Sequence, residues 1–336
     1  MSTDTLIIGD GLIGMAVGWA LAEAGQTVTV LGQSEMTGSL AAAGMLAPSF
    51  EAQHPRAAPG LADLLYESLT LWSGFHDRLV KASGLTLDYR REGIIALADR
   101  QAPPPVAGPP IAVPEGFATL GPACLIADEG QVDPRRVHGA LATALAKAGG
   151  QRRGGRVEAL DLEAGAALLS DGSRVSAARF VIAAGVGSAA LLAGDLPKLT
   201  SVRGRAVLVE WPGFPTRHVV RTADLYFCPK ADGRLYVGAT EEPAMAEEGA
   251  LARLWERAVA LLPDLEGRRI LARFDGHRPA LATGTPLIGL HGDDPRLIVA
   301  YGHDRNGILL TPVTVERVLR LIGGLPRFIG LESPLE

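Results

Sequence analysis

A glycine-spaced turn close to the N-terminus constrains the fold of this chain more than any other segment. Thr5-Leu6-Ile7-Ile8 is a short apolar run suited to a strand buried on both faces. Leu12 to Ala24 reads as a helix stopped by Gly25, and Thr27 to Leu31 as a second strand. Between the first strand and the helix lies Gly9-Asp10-Gly11-Leu12-Ile13-Gly14. Such a loop inside a β-α-β unit of about 30 residues is the context a dinucleotide pyrophosphate requires. Gly9 permits the tight turn, Gly11 lets the backbone approach the phosphates, and Gly14 lets helix and strand pack closely. The helix N-terminus adds unpaired N–H groups and a positive dipole end.

The rest of the chain alternates between this α/β pattern and a β-rich one. Gly60 to Ser83 has apolar residues near a 3.6 period, from Leu61 through Trp72 and Phe75 to Leu79. Asp133-Pro134 reads as an N-cap with proline in the first turn, and Gly149-Gly150 as the end of that helix. Asp171-Gly172 and Asp232-Gly233 mark hairpin turns, and Phe180 to Ala184 another buried strand. Leu251 to Leu262 is a helix closed by Pro263, and Thr311-Pro312 opens a last helix reaching about Ile322. The proline-rich stretch from Gln101 to Pro114 reads as a loop. The expected class is α/β: a Rossmann-like dinucleotide-binding domain from 1–80, 128–200 and 277–336, with a discontinuous second domain from 81–127 and 201–276 on a mainly antiparallel sheet.

With 336 residues, 47% of them hydrophobic and 21% charged, the chain can bury a large core. A formal net charge of −5 offers no basic field for nucleic acid or an anionic membrane. Cys124 and Cys228 have no metal-type spacing and suit two free thiols in a reducing compartment. The start lacks a signal-peptide pattern, and the longest apolar run, roughly Phe180 to Ala193, is too short to span a bilayer. A cytoplasmic protein is expected.

Two arginine-bearing segments complete the reading. Gly302-His303-Asp304-Arg305-Asn306-Gly307 sets a fixed charge in a glycine-flanked turn, and Gly276-His277-Arg278-Pro279 sets another. A guanidinium is a planar fork that matches a carboxylate with two hydrogen bonds. Hydrolase signatures are lacking: there is no Gly-x-Ser-x-Gly elbow and no paired carboxylates. The histidines are too scattered to suggest a metal site.

Together with Ser39-Leu40-Ala41-Ala42-Ala43-Gly44-Met45-Leu46-Ala47-Pro48, the segment Gly302 to Pro312 closely resembles the glycine oxidase branch of the D-amino-acid oxidase family. The similarity extends through Glu129 to Pro134, Ala183-Ala184-Gly185 and Tyr236 to Thr240. It implies noncovalent FAD, oxidation of an amine next to a carboxylate, and oxygen as the reoxidant giving hydrogen peroxide. It also implies a place in thiamine biosynthesis and self-association. Carried over by position, Gly9, Gly11, Leu12, Ile13 and Gly14 form the pyrophosphate loop. Gly38, Ser39, Ala43, Gly44 and Met45 line FAD, Val157 meets its adenine, and Ala184 and Gly185 form a second turn beside it. His303, Asp304, Asn306, Gly307, Ile308 and Leu309 wrap the flavin ring. Arg278 and Arg305 bind the substrate carboxylate, and Tyr226 orients it. No side chain is assigned as a dedicated base, since alignment of the α-C–H can replace one.

Three positions depart from the family pattern. Gly32 stands where an acid usually binds the ribose hydroxyls, which leaves Gln33, Glu35 or a weaker adenosine contact. Asp304 replaces a common aromatic. Glu241 replaces a common apolar residue, so it either contacts the substrate, favouring one with a second amine, or points to solvent. The alternative functions are a dehydrogenase of this fold that passes electrons to a quinone or carrier, oxidation of a carboxymethylated tRNA base, and an inactive flavin binder. The acidic charge argues against the tRNA reading.

Overall fold

The computed structural model describes residues 3–33, 38–99, 103–119, 121–192, 194, 196–243, 248–323 and 328–329, and these form two large sheets around one cleft. In the first sheet the parallel strands run in the order Gln151–Gly154, Val28–Gly32, Thr3–Ile8, Arg174–Ile182, Asp294–Tyr301. Leu287–His291 closes one edge antiparallel, and the hairpin Val157–Asp161/Ala166–Leu169 is attached to Arg174–Ile182. The first strand of the chain is central and its successors lie on both sides of it. Open α/β sheets of this kind bind ligands at the carboxyl ends of the strands where the order reverses.

Alternation along these strands accounts for their unbroken apolar sequence. Ile7, Val30, Val181 and Ile298 face the helices Leu12–Glu23, Leu61–Ser83, Pro134–Lys147 and Thr311–Ile322, with Trp19, Trp72 and Phe75 wholly buried among them. Leu6, Ile8, Phe180, Ile182 and Val299 face the opposite side, where the hairpin supplies Val157, Ala167 and Leu169. Both faces are covered, as parallel strands require.

The second sheet runs in the order Ile270–Leu281, Leu199–Glu210, Arg234–Gly238, Tyr226–Pro229, Val219–Arg221, Ile94–Leu97, Ala123–Ile126, Pro110–Ile111. Its neighbours are antiparallel except Val219–Arg221 against Ile94–Leu97. The helix Ala250–Leu261 packs on one face over Phe227, Trp211 and Phe117. The other face presents Tyr226, Tyr236 and Phe274 to Ala43 and Phe50. Leu199–Glu210 and Ile270–Leu281 stay paired from Leu199↔Leu281 to Ala206↔Phe274, and this register sets Arg278 opposite Val202.

Local expectations hold with small shifts. The Asp133 carboxylate accepts from the Arg135 N–H at 2.9 Å, capping the helix Pro134–Lys147. Both aspartate–glycine hairpins form, between Ala166–Leu169 and Arg174–Ile182 and between Tyr226–Pro229 and Arg234–Gly238. The proline-rich stretch is not all loop: Pro110–Ile111 adds a short edge strand to Ala123–Ile126, a position where a missing N–H costs little. Cys124 and Cys228 are free thiols. Among the described residues no helix is long and apolar enough to cross a membrane.

Candidate active site

The cleft is a cavity of about 680 Å³ that starts at the carboxyl ends of the parallel strands and reaches the second sheet. At one end Gly9, Gly11, Leu12 and Ile13 meet Gly38, Ser39, Ala43, Gly44 and Met45, with Val157, Ala184 and Gly185 alongside. Gln33 also lines it, although the residue is exposed; Glu35 lies outside the described residues. Gly9 has φ +117, and a Cβ there would meet the Ala183 carbonyl oxygen at 2.2 Å. Gly14 lies behind the cavity wall, where a Cβ would sit 1.9 Å from the Gly9 carbonyl oxygen, so this contact fixes helix against turn. The Ser39 hydroxyl accepts from the Leu12 N–H at 3.2 Å. The helix has no acidic residue in its first turn.

At the other end the cavity is bounded by Tyr226, Arg278 and the turn His303 to Ile308. That turn is held from below. The Leu309 carbonyl, itself behind the wall, accepts from the Ser68 hydroxyl at 2.6 Å and from the Trp72 indole at 2.9 Å. His303 points its ring into the protein, 2.9 Å from the Thr314 hydroxyl, and burial pushes its pKa down to about 4. Its imidazole is therefore neutral at neutral pH, and what it offers the cavity is backbone.

The two arginines differ in their surroundings. Arg278 donates only to backbone carbonyls, to Arg203 O at 3.4 Å and Thr240 O at 3.3 Å, and no carboxylate lies against it among the described residues. Room for its guanidinium comes from Gly204, where a Cβ would lie 2.2 Å from Arg278 Nη2. Arg305 is clasped by two acids, Glu51 Oε2 at 2.8 Å and Glu241 Oε2 at 3.2 Å. Burial opposes ionisation of Glu51, but Arg305 and Arg221 outweigh it and hold the carboxyl below its ordinary range. The Arg221 guanidinium reaches Glu51 Oε1 at 2.7 Å. Burial pushes the Tyr226 phenol up to about 12, so its hydroxyl remains a donor.

Glu241 does not line the cavity. It lies outside, bonded to Arg56, Arg305 and His54, and these contacts hold its carboxyl well below the usual range. Arg56 also grips Asp304 Oδ2 at 2.9 Å. The two acidic departures thus form one ion-pair cluster beside the cavity. Sequence reading missed Glu51, Gly204 and Arg56. Only Glu51 left a signal, as a lone acid in the apolar run Pro48-Ser49-Phe50-Glu51.

A family model described as DAO, FAD dependent oxidoreductase, matches residues 4–320. The chain belongs to that family. It is 31% identical to a glycine oxidase of Bacillus licheniformis over 96% of this chain and 94% of that protein. Identity to the bifunctional protein ThiO/ThiG of Synechocystis sp. is also 31%, over 96% of this chain but 52% of that protein. The crystal structure of glycine oxidase from Geobacillus kaustophilus matches with a TM-score of 0.85 at 28% identity, covering 98% of this chain and 97% of that chain. The family is FAD-dependent, and the residues present fit that cofactor. The cavity volume suits a large ligand, its glycine-lined end leaves backbone open to phosphates, and the first turn of the helix Leu12–Glu23 carries no acid.

Proposed function

We propose that this oxidoreductase deaminates glycine or a small related amino acid, with oxygen as terminal acceptor and hydrogen peroxide as product. The observation that carries the reading is Arg278, a guanidinium on the cavity wall whose partners among the described residues are backbone carbonyls. A cation so placed is satisfied by an anionic ligand, and its fork suits a carboxylate. The Gly9–Ile13 loop, Gly38–Met45 and the His303–Ile308 turn would hold FAD, which when bound would supply a two-electron acceptor.

The side chains orient the substrate. Arg278 takes the carboxylate, and the Tyr226 hydroxyl donates to it from the same wall. Arg305, already paired with Glu51 and Glu241, acts chiefly as a rigid charge that shapes the field near the carboxylate. The substrate amine gives up its extra proton before reaction, and loss of the α-hydrogen with its electron pair leaves an imino acid. Water converts that to an oxo acid and ammonia, or to a primary amine from an N-substituted substrate. Fixing the α-carbon in one orientation lowers the barrier by several kcal/mol without a dedicated base.

Because Glu241 is engaged by Arg56, Arg305 and His54, a small substrate with one amine is favoured over a diamine. The test is an anaerobic screen of amino acids for loss of flavin colour, followed by peroxide measurement in air. Bleaching by glycine or a close relative, with one peroxide per turnover, is the expected result. Bleaching without peroxide in air would instead favour a dehydrogenase using a quinone or carrier. Two free thiols accord with function in the cytoplasm.

A further inference from the structure

The strand Val28–Gly32 ends without the acid that normally accepts from the adenosine ribose. The space in front of Gly32 is nevertheless filled by a carboxylate. A Cβ built on Gly32 would lie 1.9 Å from Asp10 Cγ and 2.1 Å from Asp10 Oδ1. Asp10 sits between Gly9 and Gly11 in the pyrophosphate loop, is 4% exposed, and lines the cavity. Its other oxygen, Oδ2, accepts from Arg152 Nη2 at 2.6 Å and Nε at 3.2 Å. Arg152 lies on the neighbouring strand, opposite Val30. Oδ1 has no hydrogen-bond partner among the described residues.

We propose that Asp10 is the acid that binds the hydroxyls of the adenosine ribose in this chain, relocated from the strand end to the loop. The two positions are sterically exclusive, since a side chain at residue 32 would need the volume Asp10 occupies. Glycine at 32 is therefore the condition for the relocated acid and not the loss of a contact. Arg152 fixes the carboxylate rotamer through one oxygen and offsets the charge that Asp10 brings near the phosphates. The other oxygen is left for a hydroxyl donor. The proposal rests on FAD as cofactor and is independent of which amine is oxidised.

The test uses apoprotein titrated with FAD and with an FAD analogue lacking both hydroxyls of the adenosine ribose, followed by flavin fluorescence. Wild type should prefer FAD by roughly tenfold or more, the worth of a hydrogen bond to a charged acceptor. Asp10→Ala should lose that preference while still binding both flavins. A wild type without preference, or an Asp10→Ala protein that keeps it, overturns the proposal. Should Asp10→Ala not fold, the exchange Asp10→Gly with Gly32→Glu decides between the same outcomes. A folded double variant with wild-type preference supports relocation of one acid, and one without it overturns the proposal. Gly32→Glu alone should bind FAD more weakly than the double variant, because two carboxylates then compete for one space.

Discussion

Arg278 and Arg305 carry the same charge, yet their neighbours give them different chemistry. Among the described residues Arg278 meets backbone carbonyls alone, whereas Arg305 is neutralised by Glu51 and Glu241. Replacing Arg278 with methionine should raise the KM for the amino acid at least about a hundredfold, the scale of losing a bidentate charged contact. FAD absorbance should be unchanged, and a normal KM would remove the residue from the substrate site. Glu129 offers a second residue-level test. It is 2% exposed, its Oε2 lacks a hydrogen bond among the described residues, and burial lifts its pKa from 4.5 to about 7 against the opposing Ser49 contacts. As pH rises from about 4.5 to 7 the unfolded chain ionises here first, so the folded state holds more protons and stability falls. Glu129→Gln keeps an acceptor for the Ser49 N–H and should flatten that fall in thermal melts across the window. An unchanged pH profile would exclude Glu129 as its source.

Among the elements, helix starts matter most, because they set the turns that line the cavity. Ser68 and Trp72, on one face of Leu61–Ser83, both bond to the Leu309 carbonyl and so fix the turn before the last helix. The helix Pro134–Lys147 depends on Asp133, which caps Arg135 and also meets Arg234 at 3.2 Å. Asp133→Ala should cost about 1–2 kcal/mol in denaturant unfolding, a cap plus the ion pairs to Arg135 and Arg234. A loss within measurement error would mean that solvent replaces the cap. The helix boundaries at Asp133-Pro134, Gly25 and Thr311-Pro312 were legible in advance, because their preferences are local, whereas the contacts to Leu309 and Arg234 were not. The short strand Pro110–Ile111 was not legible, because two residues carry no alternation and the surrounding prolines signal a loop.

For the molecule as a whole, the cavity lies where the segment carrying Ala43 and Phe50 joins Tyr226, Tyr236 and Phe274 of the second sheet. A buried lysine reinforces the join: Lys230 Nζ donates to the Ala43 carbonyl at 2.6 Å and to Gln131 Oε1 at 3.0 Å. A cofactor bound in that cavity should stabilise the folded chain by mass action. Free FAD at a hundred times its dissociation constant should add about 2.7 kcal/mol, visible as a rise in Tm over apoprotein. No rise would mean that the cofactor site is not formed in the folded apoprotein.

Taken alone, the sequence determined the β-α-β start, because glycine spacing and apolar alternation act over a few residues, and the resemblance carried by Ser39–Pro48 and Gly302–Pro312 pointed to the family and the cofactor class. It also marked Arg278, Tyr226 and the turn from His303 as candidates, and all of these line one cavity. Only tertiary structure decided which charges are free. Arg305 is paired through Glu51, 254 positions earlier in the chain, and Glu241 through Arg56. The same holds for Gly32, which reads as a missing acid until the fold brings Asp10 into its space. Ion pairing and excluded volume depend on distance in space, and no local pattern encodes a distance that only the packed sheets create.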